Sequence, residues 1–507
     1  MSALDRVRKG NGERVVFYCA SFFKIDGVTL TIRGLVRHLL GDGGSVIIVT
    51  SDSPSQVKVN SFEKAHDGTR ILRTTGGLVP VPGSDYYMGL FLNEETRRAM
   101  DSFKPTVVHI TNPDMAALSI IRWALWEQPE CVLTATLHTN FEELLDFYSQ
   151  SARSQATWLA SSFQRYLYGL CPTVYVPTEF MRTKLLKENW DTELGVWGRG
   201  VDACLFSPEN RDESLRVKMG LAPQDVAVLW LGRLVAEKRP DVWLRALKKV
   251  QGRLATATSK AESGGRVGKV VGVCVGDGEA RHMFERVEGV MYMGWKSGEE
   301  LATLIASCDV FMFPSKIETF GKVTLEAMAS GLPCLVNREC GDHLVQDGEN
   351  GFTLSGAEVD KYGWRLWELV QDGLLREKMG STGRAMALKR SDCETNERMV
   401  ENYRSSRTLK GKECKNRHAL KPASGLWDRG GHAIYYVLEM LKLWTALVAL
   451  CTRGPGSMEV KLCVKGLRKH RTTMVSFLTN LVTRPVQQAA FFLIALVFSR
   501  YAVSVIY

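Results

Sequence analysis

Short runs that are apolar at nearly every position recur along this chain, and each is followed by a loop and a stretch with helical spacing. Residues 14–20 (RVVFYCA), 45–50 (SVIIVT) and 226–231 (VAVLWL) are the plainest examples. A strand apolar at alternate positions needs cover on one face only. A strand apolar throughout needs cover on both, and a parallel sheet sandwiched between helices supplies it. Strand, loop, helix, strand is therefore an α/β pattern, and the 507 residues suffice for more than one such unit.

The first unit is expected over residues 1–207. A helix over 28–40 carries Leu30, Leu35, Val36 and Leu39 at helical spacing. Strands follow at 107–111, 132–137, 173–176 and 194–197, with helices at 115–128, 155–169 and 179–189. The second unit is expected over 208–390. Its strands fall at 226–231, 269–275 and 290–293 and near 310–314. Helices are expected at 240–250, 279–287 and 298–307 and within 358–389. Residues 254–268, rich in Ser, Gly, Ala and Lys, are expected as a flexible surface insertion. Residues 391–431 are polar and basic and are expected as a linker. Residues 432–507 are expected as a helical, membrane-associated tail. Two apolar stretches there, 433–451 and 489–507, flank a segment from Arg453 to Arg484 with seven Lys/Arg and one acid. Their internal charges, Glu439, Lys442 and Arg500, would be costly at a bilayer centre, so an interfacial or tail-anchored segment fits better than two clean spans. A soluble helical cap is the other reading. Such a basic block suits an anionic membrane surface, and no nucleic-acid partner is expected.

The net charge of +10 is concentrated in that way, and the 12 cysteines include no C-x-x-C pair. That pattern argues against zinc and against a disulfide framework, and for a reducing compartment. None of the 13 asparagines begins an N-x-Ser/Thr sequon, and the charged N-terminus has no apolar core of a secretory signal. The expected location is the cytosolic face of a membrane.

The chemistry concentrates in residues 309–333, DVFMFPSKIETFGKVTLEAMASGLP. A strand, a polar loop with Glu318, and a short helix containing Glu326 follow one another. An acid within so apolar a helix needs hydrogen-bond partners, and adjacent sugar hydroxyls are natural donors to it. The amides of Phe320, Gly321 and Lys322 open a helix, where negative charge is favoured. Hydroxyls beside phosphate describe a nucleotide-sugar; the plainer alternative is a surface glutamate. Gly232 with Arg233 and Lys238 forms a strand-to-helix loop suited to a diphosphate. Gly27, where a loop meets a helix, would let backbone approach a phosphate, or is an ordinary turn glycine. There is no G-x-G-x-x-G, so a nicotinamide site is unsupported. His138 closes a strand at the end where open sheets place ligands.

These segments, in order, resemble the retaining glycosyltransferases of family 4, whose fold is GT-B: two Rossmann-like domains facing a cleft. The resemblance covers roughly residues 14–390. It rests on 232–238 (GRLVAEK), on Glu318 to Glu326 in the family's Glu-x7-Glu spacing, on 138–141 (HTNF) and on 197–208 (WGRGVDACLFSP). It implies that Arg233 and Lys238 hold the donor diphosphate, Glu326 the ribose hydroxyls and Glu318 the donor sugar. It implies that Phe320 and Gly321 line the donor site, Gly27 nears the phosphates and His138 contacts the sugar. It implies no metal and no cofactor. Cys340-Gly341 stands where the family usually has Gly-Gly. Two groups within the family look nearest: GDP-mannose-dependent α-mannosyltransferases, and sulfoquinovosyltransferases using a UDP donor. Both act on lipid. The expected partners are thus a GDP- or UDP-linked sugar and a lipid or glycan acceptor. A non-catalytic lipid-binding scaffold on the same frame is the reading from another class.

Overall fold

The computed structural model describes residues 12–24, 27–52, 69–73, 78–80, 87–138, 163–190, 192–260, 268–355 and 358–408. Two parallel sheets organise them. The first has seven strands in the order β3-β2-β1-β6-β7-β8-β9. These are β1 (Arg14–Tyr18), β2 (Ser45–Thr50), β3 (Thr69–Arg73), β6 (Val107–Ile110), β7 (Val132–Thr136), β8 (Thr173–Val176) and β9 (Glu193–Val196). Short β4 (Leu78–Pro80) and β5 (Tyr87–Gly89) pair antiparallel outside it. The second sheet has six strands in the order β12-β11-β10-β13-β14-β15. They are β10 (Val226–Leu231), β11 (Val270–Val275), β12 (Val290–Gly294), β13 (Val310–Phe313), β14 (Cys334–Asn337) and β15 (Gly351–Leu354).

Both orders reverse once, beside the first strand of the sheet. The first sheet runs out from β1 through β2 to β3 and resumes on the far side at β6, in register Val15 with Val107. The second does the same about β10, with Val228 opposite Val310 on β13. Where the order reverses, the connections leave in opposite directions and open a crevice at the carboxyl ends of the strands. All six residues of β10 are buried, as their sequence requires. Trp230, Trp243, Phe284 and Phe313 pack around it with ring centroids 5.2 to 6.3 Å apart. At the opposite end of that strand, Arg216, buried, donates to Asp309 Oδ2 at 2.9 Å and to the carbonyls of Ser307 and Asp225. The same carboxylate oxygen accepts from Ala227 N, so one ion pair ties β10 to the start of β13.

Helix α1 (Gly27–Gly41) follows β1, as its spacing predicts, and buries Ile32, Leu35, Val36 and Leu39. Three expectations need correction. Residues 254–260 are not part of a surface insertion: helix α2 (Pro240–Lys260) continues through them. Leu254 packs on the core and residues 254–260 hold no Gly or Pro, so each added residue gains a backbone bond without a new nucleus. Residues 279–287 do not form an α-helix; a 3₁₀ turn, Glu279–Met283, ends at Phe284. Residues 392–408, expected as linker, form helix α4 (Asp392–Thr408). Met399, Val400 and Tyr403 of α4 are buried against α1 and the first sheet. Burial of Met399 and Val400 contributes about 2 kcal/mol each. Tyr403 also reaches His109 Nδ1 at 2.6 Å, and Trp197 Nε1 donates to Thr395 O at 3.1 Å.

The chain thus passes between the sheets twice, once near residue 200 and again near 391. The passes are bonded to each other: Val201 N to Arg390 O at 2.9 Å, and Asp392 N to Val201 O at 3.1 Å. A Cβ on Gly200 would sit 2.4 Å from Asp392 Cα, so only glycine allows this approach. No helix among the described residues is long and apolar enough to cross a membrane. The expected tail, 432–507, and the remainder of the expected linker lie outside the described residues.

Candidate active site

The reversal point of the second sheet brings two loops together. After β10 comes Gly232, whose φ of 149° favours glycine. After β11 come Gly276 and Gly278. A Cβ on Gly276 would stand 1.9 Å from Gly232 O, and one on Gly278 2.5 Å from Leu234 O. Leu234 N donates to Asp277 O at 2.9 Å, so the two loops pack backbone on backbone. From the far side arrives the loop after β13. Lys316 N donates to Glu237 O at 3.0 Å, joining it to the turn that carries Lys238.

Lys238 and Glu318 meet there. Lys238 Nζ lies 2.5 Å from Glu318 Oε1 and 2.6 Å from Ile317 O. Their side chains are only 12% and 18% exposed, so the pair is held largely out of water. Ser315 Oγ bridges Ile317 O and Glu318 Oε1 at 3.1 and 3.4 Å. Arg233 is different: its side chain is 69% exposed, and it meets the buried Glu237 at 3.6 Å. A fork-shaped cation standing in solvent above a rigid ion pair suits an anion arriving from the cleft.

Gly321, at φ 82°, caps helix α3 (Lys322–Ala329). The first amides of a helix have no carbonyl within the helix to bond, and here they follow directly on Glu318. Phe320 is buried, and its carbonyl accepts from His343 Nε2 at 2.7 Å. Burial lowers His343 below the usual histidine range, so the ring stays neutral and donates to that carbonyl. Within α3, Glu326 is buried among Leu325, Ala327 and Met328. Burial pushes its carboxyl up to about 7, opposed by Lys322 and reinforced by Asp392. Among the described residues its carboxylate has no hydrogen-bond partner. That is the state of a group whose donors come with a ligand.

The cysteine at the family's glycine position is accommodated. Cys340 Sγ lies 3.0 Å from Lys316 O and so touches the Glu318 loop directly. The following Gly341 is the constrained position, since a Cβ there would meet Val336 Cγ2 at 2.4 Å.

His138 and Gly27 stand apart from this group, on the first sheet. Gly27 is exposed at the start of α1, with open space around its Cβ position. The loop before it is tied down by Asp52, which accepts from Phe23 N at 2.8 Å and Thr50 Oγ1 at 2.7 Å. His138 is buried after β7, and its Nδ1 lies 2.6 Å from Arg199 Nη2. Burial, Arg199 and His109 together drive it well below the usual histidine range. The two sheets approach through Gly198: a Cβ there would lie 3.7 Å from the Phe320 ring. Arg199 and His343 went unremarked in the sequence. Arg199 lies within the family segment WGRGVD, which was a usable signal; His343 has none.

Residues 25–204 match the profile of Glycosyltransferase Family 4, and residues 225–372 that of Glycosyl transferases group 1. Residues 25–204 thus carry a Glycosyltransferase Family 4 domain, and the protein is a glycosyltransferase of GT-B fold. It is 26% identical over 377 residues to the sulfoquinovosyl transferase SQD2 of Arabidopsis thaliana, covering 72% of this chain and 67% of that one. It is 28% identical over 355 residues to a GDP-mannose-dependent alpha-mannosyltransferase of Mycobacterium tuberculosis, covering 69% and 85%. Among solved structures, Anabaena HepE, in complex with UDP and glucose, superposes with a TM-score of 0.59 at 18% identity. The match covers 78% of this chain and all of that one, and it bears on fold alone.

Proposed function

We propose that the protein moves a hexose, with mannose favoured, from a nucleoside diphosphate to a lipid or glycan acceptor, with retention at the anomeric carbon. The observation that carries this is the Lys238–Glu318 pair at the sheet reversal, flanked by exposed Arg233 and by the α3 N-terminus. Arg233 and Lys238 neutralise the diphosphate as it leaves, and the α3 amides add fixed dipoles that need no reorganisation. Glu318 accepts from hydroxyls of the donor sugar, and Glu326 from the ribose. Gly27 lets the first-sheet loop approach the phosphates. The cations on this chain supply the charge that a metal would otherwise supply, so neither metal nor cofactor is part of the proposal. Retention fits attack from the face the phosphate leaves, with the leaving oxygen taking the acceptor's proton. Its power lies in orientation and electrostatics.

A relative named for each donor leaves a second reading: transfer of sulfoquinovose from a UDP donor to a diacylglycerol. Thermal stabilisation by GDP against UDP separates the two. At 100 times its dissociation constant the right nucleotide stabilises the native state by about 2.7 kcal/mol. A GDP-selective shift supports mannose, and a UDP-selective one sulfoquinovose or another UDP sugar. No response to either refutes the transferase proposal and favours a silent scaffold. The acceptor being lipid, we also propose that residues 432–507 hold the enzyme on the cytosolic face of a membrane. Deleting 431–507 should then move the protein to the soluble fraction; an unchanged membrane fraction refutes that role.

A further inference from the structure

Arg199 is a buried cation that meets no carboxylate among the described residues. Its contacts are His138 Nδ1 at 2.6 Å, the Trp197 carbonyl at 3.3 Å and the face of the Trp197 ring, 5.2 Å from its centroid. Burial alone lowers it to about 10, so it stays charged at neutral pH. A cation placed this way is costly unless the contact it makes has a use.

That contact determines the state of His138. A guanidinium only donates, so Nδ1 must accept and carries no proton. The ring is neutral, since its burial and the Arg199 charge both oppose a positive charge on it. His109 is itself held neutral by burial, its value falling to about 3, between the Tyr403 hydroxyl and Thr136 Oγ1. The one ring proton of His138 is therefore on Nε2. That atom is buried and has no hydrogen-bond partner among the described residues. A buried N–H left without an acceptor costs about 1–3 kcal/mol. His138 lies just past the carboxyl end of β7, and Gly198, next to Arg199, is where the two sheets approach at Phe320.

We infer that Arg199 is a positioning residue: it holds His138 with its proton on Nε2, as a hydrogen-bond donor to a hydroxyl oxygen of the bound sugar. His138 then does not act as a base. The sugar is supplied by the transferase proposal above; the Arg199–His138 arrangement is independent of it.

The test uses the full-length protein with ring-¹⁵N histidine. Of the nine histidines, the His138 signals are those lost in His138→Gln. In the wild type, His138 should show protonated Nε2 and bare Nδ1 from pH 5 to 8, and turnover should show no histidine limb in that range. Arg199→Met removes the donor: the Nδ1–H form should appear, and turnover should fall about ten- to a hundredfold. Arg199→Lys, which keeps a donor of similar reach, should restore the nitrogen pattern and part of the turnover. Arg199→Leu, which likewise carries no donor, replaces the Met variant if that one fails to fold. An unchanged His138 pattern in Arg199→Met, or a His138 that titrates between pH 5 and 8 in the wild type, overturns the inference. If the wild type binds no nucleotide-sugar, the transferase proposal fails while the nitrogen spectrum still decides the role of Arg199.

Discussion

Glu326 offers a measurement in which the structure dictates a number. Its carboxyl stands at about 7 rather than its ordinary 4.5, chiefly through burial. At pH 6 such a group is about nine-tenths protonated. Ribose hydroxyls donating to it favour the charged form and bring it back toward the ordinary value. Binding a nucleotide-sugar at pH 6 should therefore release about 0.9 proton, and affinity should weaken close to tenfold per pH unit below about 7. A nucleotide-sugar is the right probe, because both its phosphates are diesters and neither titrates here. Calorimetry in two buffers of different ionisation enthalpy counts the protons. Glu326→Gln cannot ionise: its release should be near zero and its affinity flat with pH. It should bind about ten- to a hundredfold more weakly, by loss of a charge-assisted bond of about 1.5–3 kcal/mol. Stability carries the complementary sign. A raised pKa favours the native state below 4.5, and that advantage is lost as pH rises through about 7. At pH 8 the Gln variant should thus be the more stable protein, by up to about 3 kcal/mol. Release by the wild type below about 0.2 proton, or equal release by the Gln variant, would refute the reasoning.

Lys238→Ala leaves Glu318 without its cation and removes a charge from the leaving diphosphate. It should lower kcat/KM by at least about a hundredfold in a transfer assay while circular dichroism stays native. Asp309→Asn breaks the ion pair of buried Arg216 and should cost about 3–5 kcal/mol, read as a large drop in thermal midpoint and faster hydrogen exchange in β10. A chain ending at 408 should keep nucleotide binding, whereas one ending at 391 loses Met399, Val400 and Tyr403 and should aggregate; equal solubility of the two would show that α4 is dispensable.

Most strands were legible because they are apolar at nearly every position, a pattern with one common solution; β14 (CLVN) and β15 (GFTL), only four residues each, were not. The loop residues were legible too, since Gly232, Lys238, Glu318 and Glu326 sit at fixed short spacings in strand–loop–helix units. Helix α4 was not. It meets the apolar core with three side chains, Met399, Val400 and Tyr403, in a run otherwise polar or charged, and so narrow a seam does not stand out from a polar linker. Strand β3, TRILR, was missed for a related reason: it is a short edge strand with a charged residue at its second position and another at its end. The partnership of Arg199 with His138 joins residues 61 apart in sequence, and that of His343 with Phe320 joins residues 23 apart. Local periodicity carries no trace of such pairings.

The paired passes at Gly200–Val201 and Arg390–Asp392 have a mechanical consequence. Two strands of chain that cross side by side and bond to each other behave as an axle. Twisting about it moves the far rims of both sheets by large arcs while its own two hydrogen bonds keep their lengths, whereas pulling the sheets apart would load both bonds at once. A methyl group at Gly200 would jam that bearing against Asp392.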